Sequence, residues 1–341
     1  MIRTLLPVVP WLLAGALLTS CSKSPDVMLY VALDQEHSER LIREFEKSSG
    51  LVIATRFDTE ASKTVGLVSA IVEEASRPRC DVFWNNELAH TVRLAQKGLL
   101  QPYSSPSAKT IPERWRDAQG RWAGFAARAR VFIVNTKLIP DPKDYPKSIW
   151  DLVDPKWKGK CGTARPLTGT TMTHFAALAL ALGDQEFERF LAGLASNSVT
   201  MLQSNGATMR SVRDGELAFA LTDTDDFHVA LQKGHPVACV FPDQQEGGIG
   251  TMLIPNSIGI VANAPHKAAA EKLVDWVLST ETEALLAAAA SAQIPLRAGV
   301  QGPKEKSILR VDQFKAMAWD ADKTATSLEA FSKRMQERFG K

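Results

Sequence analysis

Apolar and polar residues alternate in blocks along the first hundred residues of the chain. Short apolar runs predict buried strands, and segments with an apolar stripe at helical spacing predict amphipathic helices. The predicted strands are 27–33, 51–57 and 80–84, and the predicted helices are 36–50, 61–77 and 88–100. Strands that alternate with helices through short connections indicate an α/β fold with a parallel sheet.

Polar residues follow two of these predicted strands. Asp34 and Gln35 follow the first strand, and Asn85 and Asn86 follow the third. Ligands of open α/β sheets bind outside the carboxyl ends of the strands. These four residues are therefore candidate ligand-binding residues. Asp34 would serve equally well as the cap of the helix that comes next.

The rest of the chain continues the alternation of strands and helices. The predicted strands are 125–136, 217–223, 236–241 and 257–262, and the predicted helices are 168–183, 187–197, 204–216 and 267–290. Arg128 and Arg130 lie two residues apart in the first of these strands, so both point to the same face. An arginine in an apolar strand is costly unless it is paired. Either both meet structural carboxylates, or one of them, with Arg128 preferred, binds an anion through two hydrogen bonds.

The first 21 residues have the pattern of a secretory signal. A single Arg3 precedes an apolar run, which is short for a membrane span of about 20 apolar residues. The run ends in Leu18-Thr19-Ser20-Cys21, which resembles a bacterial lipobox. That resemblance implies cleavage of residues 1–20, a lipid on Cys21, a tether over 21–26 and an anchored protein on the periplasmic face of the cell envelope. An uncleaved N-terminal anchor helix is the alternative.

Composition narrows the class of protein further. The 341 residues are 45% hydrophobic and 23% charged, which is typical of a soluble globular chain of about two domains. A net charge of +2 without a basic cluster argues against binding to nucleic acid. Cys80, Cys161 and Cys239 are widely spaced and form no CxxC pair, so a structural zinc site is not expected. They allow at most one disulfide bond among themselves.

Several segments together resemble the substrate-binding proteins of bacterial ABC importers, and in particular the ferric-iron-binding group. The segments WDLVDPKWKGK (150–160) and GELAFALTD (215–223) form the most specific combination. DVFWNNELAHTVRLAQKGLL (81–100) and TGTT (168–171) support it. The resemblance implies a type II periplasmic-binding-protein fold of two α/β domains. A hinge would close the domains around a ligand in the cleft between them.

The same resemblance implies domain limits and partners. One domain would comprise 27–127 with about 256–300, and the other 128–255 with about 301–341. The connections would cross at 128–135 and near 253–262. The protein would act as a monomer without a cofactor, would deliver a small molecule or metal ion to an ABC permease and its ATPase, and would not be an enzyme.

Two predicted helix starts could hold an anion. Thr168-Gly169-Thr170-Thr171 opens one helix, and Asn205 opens another. The free backbone N–H groups and the positive dipole end of a helix N-terminus attract anions. Ordinary helix capping by Thr168, Thr170 or Asn205 is the alternative. The resemblance implies that both helix starts face the cleft.

The stretch LTDTDDFHVA (221–230) bears most directly on the cargo. In the iron-binding group two consecutive tyrosines stand where this chain has Asp225 and Asp226. Asn86 replaces a glutamate ligand of that group, and Asp34 replaces a histidine. Asp225, Asp226 and Asp34 could hold a cation as hard oxygen donors. They could equally bind the hydroxyl groups of a sugar phosphate, so ferric iron, an iron chelate and a phosphorylated or otherwise anionic solute all stay open.

Two other classes compete with a transport receptor. Asp225 and Asp226 could serve a hydrolase or a metal-dependent phosphatase, but adjacent strand residues point oppositely and a catalytic pair would need a turn here. The chain has no nucleophile elbow, P-loop or HExxH motif. The third class is a ligand-sensing partner of a receptor. His174 and His228 are expected to be ordinary polar residues rather than ligands.

Overall fold

The computed structural model of the protein describes residues 24–32, 35–58 and 64–340, with only the backbone described at 35–37. The predicted signal peptide 1–20, Cys21 and Asp34 lie outside the described residues, as does the side chain of Gln35. The signal, the lipid anchor and these two candidate ligand residues therefore stay predictions.

The described elements follow the predicted alternation. The strands are β1 Val27–Val31, β2 Ile53–Phe57, β3 Val82–Asn85, β4 Leu100–Gln101, β5 Ala123–Asn135, β6 Cys161–Ala164, β7 Thr200–Leu202, β8 Phe219–Asp223, β9 Val237–Val240 and β10 Leu253–Val261. The α-helices are α1 Gln35–Ser49, α2 Val65–Glu73, α3 Ala89–Gln96, α4 Gly169–Ser196, α5 Asn205–Arg213, α6 Thr224–Gln232, α7 Lys267–Val277, α8 Thr280–Ala288 and α9 Ala321–Phe339. Short 3-10 helices connect several of them.

The structure differs from the sequence prediction in a few elements. The segment 267–290 forms two helices, because Ser279 caps the start of α8 through the backbone N–H of Thr282. The two helices predicted at 168–183 and 187–197 are present as the two arms of α4, which meet at Gly183, where the backbone is not helical (φ 74°). Neither α9 nor the short strands β4, β6 and β7 were predicted from the sequence.

The strands form one continuous sheet in the order β2-β1-β3-β10-β5-β8-β6-β7, with β4 beside β10 and β9 beside β5. The strands at each end of this order run parallel to their neighbours. The central strands β5 and β10 run antiparallel to the strands beside them. We call β1–β4 and β10, with the helices on them, lobe 1, and β6–β9, with theirs, lobe 2.

The long strand β5 belongs to both lobes. All 13 of its residues are buried, which fits its apolar sequence. Its first half, through Ala129, pairs with β10, and its second half, from Arg130, pairs with β8 and β9. β10 carries a register break between Pro255 and Asn256. The chain therefore passes between the lobes within the predicted crossing 128–135, while the exact domain limits stay a prediction.

The C-terminal helix α9 joins the lobes on another side. It packs against α3 of lobe 1 and α4 of lobe 2. Arg93 pairs with Glu329 at 2.5 Å, and Arg338 pairs with Glu188 at 2.8 Å. Leu328 of α9 is fully buried in the apolar core of lobe 2. The core forms two apolar clusters, and each of them contains residues of both lobes.

No cysteine among the described residues forms a disulfide bond. Cys80, Cys161 and Cys239 are free thiols, the first two buried and the third half-buried. Of the described helices, none has the length and apolarity required to pass through a bilayer.

Candidate ligand-binding cleft

A cavity of about 400 Å³ opens where the carboxyl ends of β6 and β8 meet the crossing strand β5. Its volume is in the range of small-molecule sites, which span about 300 to 1,000 Å³. The structure brings most of the predicted site residues to this cavity, namely Asn86, Arg128, Thr168, Gly169, Thr170, Thr171, Asn205, Asp225 and Asp226. Residues that lie more than a hundred positions apart in the chain therefore line the same cavity.

Asn85 does not line this cavity. Its side chain is fully buried in lobe 1, where it donates to Glu87 Oε1 at 2.7 Å and to Thr91 Oγ1 at 3.1 Å. Its side-chain oxygen accepts from Thr64 Oγ1 at 3.2 Å. Asn85 is thus used to hold the loop after β3, and its neighbour Asn86 reaches the cavity.

Sequence reasoning missed the residue at the centre of the site, Asp223. It is the last residue of β8 and lies opposite Arg130 of β5 in the antiparallel register. Arg130 Nη1 donates to its Oδ1 at 2.7 Å, and Thr170 Oγ1 and Asn205 Nδ2 donate to its Oδ2 at 2.7 and 2.9 Å. Burial by itself would raise the pKa of Asp223, but Arg130 and Arg128 outweigh it and hold the pKa below the ordinary value. Asp223 is therefore a buried carboxylate that stays ionised.

The helix start at Asn205 differs from the prediction. Ser204 is the N-cap of α5, since its Oγ accepts from the Ala207 N–H at 3.1 Å. The Asn205 amide instead joins the Asp223 network and accepts from Thr171 Oγ1 at 3.0 Å. Because Ser204 caps the helix, the side chain of Asn205 is free to line the cavity.

The start of α4 is open toward the cavity. Thr168 stands at the N-cap position, and in the described structure its side chain makes no capping hydrogen bond. Gly169 has φ 58°, and a Cβ there would meet no atom within 4 Å. Both residues line the cavity. The first turn of this helix therefore offers its N–H groups to the open space.

Arg128 contacts both lobes from its place on β5. Its guanidinium donates to the Asn86 carbonyl oxygen of lobe 1 and, through Nη1 at 3.1 Å, to Asn256 Oδ1 of β10. Its Nε lies 3.5 Å from Asp225 Oδ2 and 3.9 Å from Asp223 Oδ2, both in lobe 2. The side chain is 2% exposed. The pairing expected for an arginine in an apolar strand is thus present for Arg128 as well as for Arg130.

Asp225 and Asp226 lie in the first turn of α6, directly after β8. Asp226 accepts from Thr222 Oγ1 at 2.7 Å, and Asp225 Oδ1 accepts from the Asp226 N–H at 3.0 Å. Carboxylates in a first turn are stabilised by the helix dipole. One oxygen each from Asp223, Asp225 and Asp226 lies within 4.8 Å of the others, and this set could surround a metal ion.

The two histidines have structural partners. His174 Nδ1 accepts from Arg130 Nε at 3.3 Å, and burial, followed by the nearby Arg130 charge, holds the pKa of His174 well below its ordinary value. His228 donates from Nδ1 to the Ala290 carbonyl at 2.8 Å. Neither lines the cavity. His174 is therefore held by Arg130 and His228 by the Ala290 carbonyl, and neither is placed to contact a ligand in the cavity.

Cations outnumber acids around the cavity. Five positive side chains line it, from Arg128, Arg165, Arg210, Arg213 and Lys233, against the three carboxylates of Asp223, Asp225 and Asp226. Of these five, only Arg128 was predicted from the sequence. Helical spacing could have indicated two of the others, since Arg210 and Arg213 lie three residues apart on α5 and so share one face.

No tyrosine reaches the cavity among the described residues, which include all three tyrosines of the chain. Tyr30 donates to Glu74 Oε2 at 2.9 Å, and Tyr103 donates to Asp275 Oδ2 at 2.8 Å. Tyr145 packs against the core of lobe 2. A phenolate ligand for iron is therefore absent from this wall.

Comparison with known proteins shows the family to which the chain belongs. The model of the family described as bacterial extracellular solute-binding protein matches residues 40–310. The chain belongs to this family. Its architecture is that of the two-domain type II periplasmic binding proteins, as expected, and it is a binding protein rather than an enzyme.

The similar proteins include several that are named for iron binding and one that is named for a phosphonate. Iron uptake protein A1 of Synechocystis is 28% identical, over 94% of this chain and 92% of that protein. The crystal structure of iron-bound HitA from Pseudomonas aeruginosa has a TM-score of 0.80 at 25% identity, over 91% of this chain and 98% of that one. A putative 2-aminoethylphosphonate-binding periplasmic protein of Salmonella typhi is 27% identical, over 70% of this chain and 68% of its own length.

Proposed function

We propose that this solute-binding protein is the lipid-anchored receptor of an ABC importer and that its cargo is a small anionic solute. The family assignment supports a transport role, and the lipobox-like segment ending at Cys21 supports the anchor. The charge of the cavity carries the cargo proposal. A phosphorylated or carboxylated solute, including a negatively charged iron chelate, matches this charge.

The anion would lie between two kinds of donor. The open first turn of α4 supplies backbone N–H groups and the hydroxyl of Thr168. The exposed guanidinium groups of Arg165 and Arg210 and the ammonium group of Lys233 supply positive charge at the cavity wall. Charge-assisted hydrogen bonds of this kind are shorter and about twice as strong as neutral ones. The name of the phosphonate-binding relative agrees with such a ligand.

The carboxylates would then bind the uncharged part of the solute. Asp226 lines the cavity with its neighbour Asp225, and ionised carboxylates accept hydrogen bonds from hydroxyl groups. A polyol phosphate would place its phosphate at the α4 start and its hydroxyls toward α6. Asn86 of lobe 1 would close over it when the lobes come together.

Ferric iron held by carboxylates is the second candidate. The observation in its favour is the cluster of Asp223, Asp225 and Asp226, together with the iron-binding names of several relatives. Two observations weigh against bare iron. Asp223 already accepts hydrogen bonds from Arg130, Thr170 and Asn205, and no tyrosine stands at this wall of the described structure.

Native mass spectrometry of protein purified without chelators, combined with metal analysis, tests the proposal. We expect an anionic organic solute or phosphate to be retained, with iron present only as a chelate. Titration calorimetry with inorganic phosphate, a sugar phosphate, ferric citrate and ferric chloride then ranks the ligands. Stoichiometric iron without a co-bound anion would show that the cargo proposal is wrong.

A further inference from the structure

The Arg128 guanidinium faces the same oxygens that a metal ion would use. The three clustered carboxylates offer one oxygen each within a span of 4.8 Å. Arg128 Nε lies 3.5 Å from Asp225 Oδ2 and 3.9 Å from Asp223 Oδ2. It is therefore a cation built into the protein at the edge of the cluster.

This guanidinium is held in place by neutral oxygens on its other side. Nη1 donates to the Asn256 side chain, and Nη2 donates to the carbonyl of Asn86. With its side chain 2% exposed, Arg128 has little solvent to move into. The guanidinium is therefore a fixed cation beside the carboxylates.

A second cation close to this charge would be repelled. At the short distances of this cluster, two cations repel each other far more strongly inside a protein than in bulk water, and the repulsion grows with the charge of the approaching ion. Removal of the guanidinium would leave Asp223 with Arg130 as its only close cation among the described residues, and would leave Asp225 without its contact to Arg128. The cluster would then have one positive charge fewer beside its carboxylates.

We infer that Arg128 determines the specificity of the cleft, acting as a resident cation that keeps hard metal ions away from Asp223, Asp225 and Asp226. This inference rests on the proposed function, because it explains how a cleft of the iron-binding type selects an anionic solute over a bare ion. The anionic group of a solute is directed to the α4 start, Arg210 and Lys233, whereas a free metal ion that enters the carboxylate cluster meets the positive charge of Arg128.

Gain of metal affinity on loss of Arg128 is the test. Terbium is a hard trivalent ion whose binding can be followed by tryptophan-sensitised luminescence and by calorimetry on the full-length protein in detergent. We expect Arg128→Met to bind terbium at least tenfold more tightly than the wild type. A purely structural role for Arg128 would lower stability and would not raise the affinity for a cation.

Three further variants locate the effect. Arg128→Lys keeps a positive charge and is expected to show no gain. Arg128→Met combined with Asp225→Asn is expected to lose the gained affinity, since it removes one carboxylate of the cluster. Arg338→Gln removes an exposed positive charge on α9, outside the cavity lining, and its terbium affinity should stay within about twofold of the wild type.

The outcomes separate this inference from the proposed function. Equal terbium affinity in the wild type and in folded Arg128→Met, with circular dichroism and melting temperature as folding controls, would overturn the role of Arg128. Tight terbium binding by the wild type at the cluster would do the same. Phosphate and sugar phosphate binding by the wild type tests the cargo independently, so either idea can fail while the other stands.

Discussion

The acidic wall and the cationic wall of the cavity differ in what already holds their side chains. Asp223 accepts three strong hydrogen bonds, and Asp226 accepts one from Thr222. Arg165, Arg210 and Lys233 are exposed, and within the described part of the chain no ion pair engages their side chains. The acidic wall thus serves the fold, and the cationic wall is available to a solute.

The largest effect is expected from the buried carboxylate of the acidic wall. Asp223→Ala would leave Arg130 buried without its counter-charge, and breaking a buried pair in this way costs about 3 to 5 kcal/mol. Urea denaturation of the two proteins measures the loss. Asp214→Ala removes an exposed carboxylate that pairs with Arg213 and serves as the matched control with a much smaller effect. Similar losses in both variants would contradict the structural role of Asp223.

Loss of the neighbouring carboxylate should affect binding more than folding. Asp226→Ala removes an acceptor at the cavity wall and one hydrogen bond from Thr222. We expect it to abolish the rise in melting temperature that the retained solute produces in the wild type. An unchanged ligand-induced shift in differential scanning fluorimetry would exclude Asp226 from ligand binding. Asp312→Ala, at an exposed site away from the cavity, is the control.

The cationic wall should show the reverse behaviour. The double variant Arg210→Ala with Lys233→Ala removes two exposed charges that make no ion pair in the described structure, so the melting temperature should stay nearly unchanged. Affinity for phosphate or the retained solute should fall at least tenfold, equivalent to about 1.4 kcal/mol. The affinity of the wild type should also weaken as salt rises. Undiminished affinity in calorimetry would mean that these charges do not contact the cargo.

A smaller effect concerns the pH dependence of stability. The pKa of His174 is held well below 6.5 in the folded protein, whereas the unfolded chain binds a proton near 6.5. Stability should therefore fall as pH drops below about 6.5, at no more than about 1.4 kcal/mol per pH unit for this group. His174→Gln should flatten the slope between pH 6.5 and 5, as measured by urea denaturation. An unaltered slope would show that another group causes it. Asp223 adds loss only at lower pH, since its pKa is lowered.

The smallest signal is an expected absence in the visible spectrum. Iron bound to tyrosinate absorbs visible light, and the tyrosines of this chain lie away from the cavity. We expect no such band when ferric citrate is added to the protein. A band that disappears in a tyrosine variant would contradict the position of these residues and would revive a phenolate site.

The sequence predicted the fold class because its signals are local or belong to long motifs. The apolar runs of β1, β3 and β5 and the stripe of α1 are visible as patterns over a few residues. The combination of segments 150–160 and 215–223 led to the family, which the comparisons confirm. The helix start at Thr168 was likewise recognised from four residues.

The sequence could not predict which polar groups form hydrogen bonds or ion pairs with one another. Arg130 and Asp223 lie 93 positions apart, and only the register of β5 with β8 places them in contact. Asn85 and Asn86 look alike in the sequence, but one is buried in lobe 1 and the other lines the cavity. Asn205 joined the carboxylate network because Ser204 took the capping role.

By itself, the sequence determined the kind of protein: an alternating α/β chain of the solute-binding family, with a cleft at its strand ends and no iron-type tyrosine pair after β8. The tertiary structure decided the charge of that cleft. It brought Arg165, Arg210 and Lys233 to one wall and set Arg128 against the carboxylates. Short-range patterns encode helices and strands, whereas the balance of charge in a cleft depends on distances between residues that are far apart in the chain.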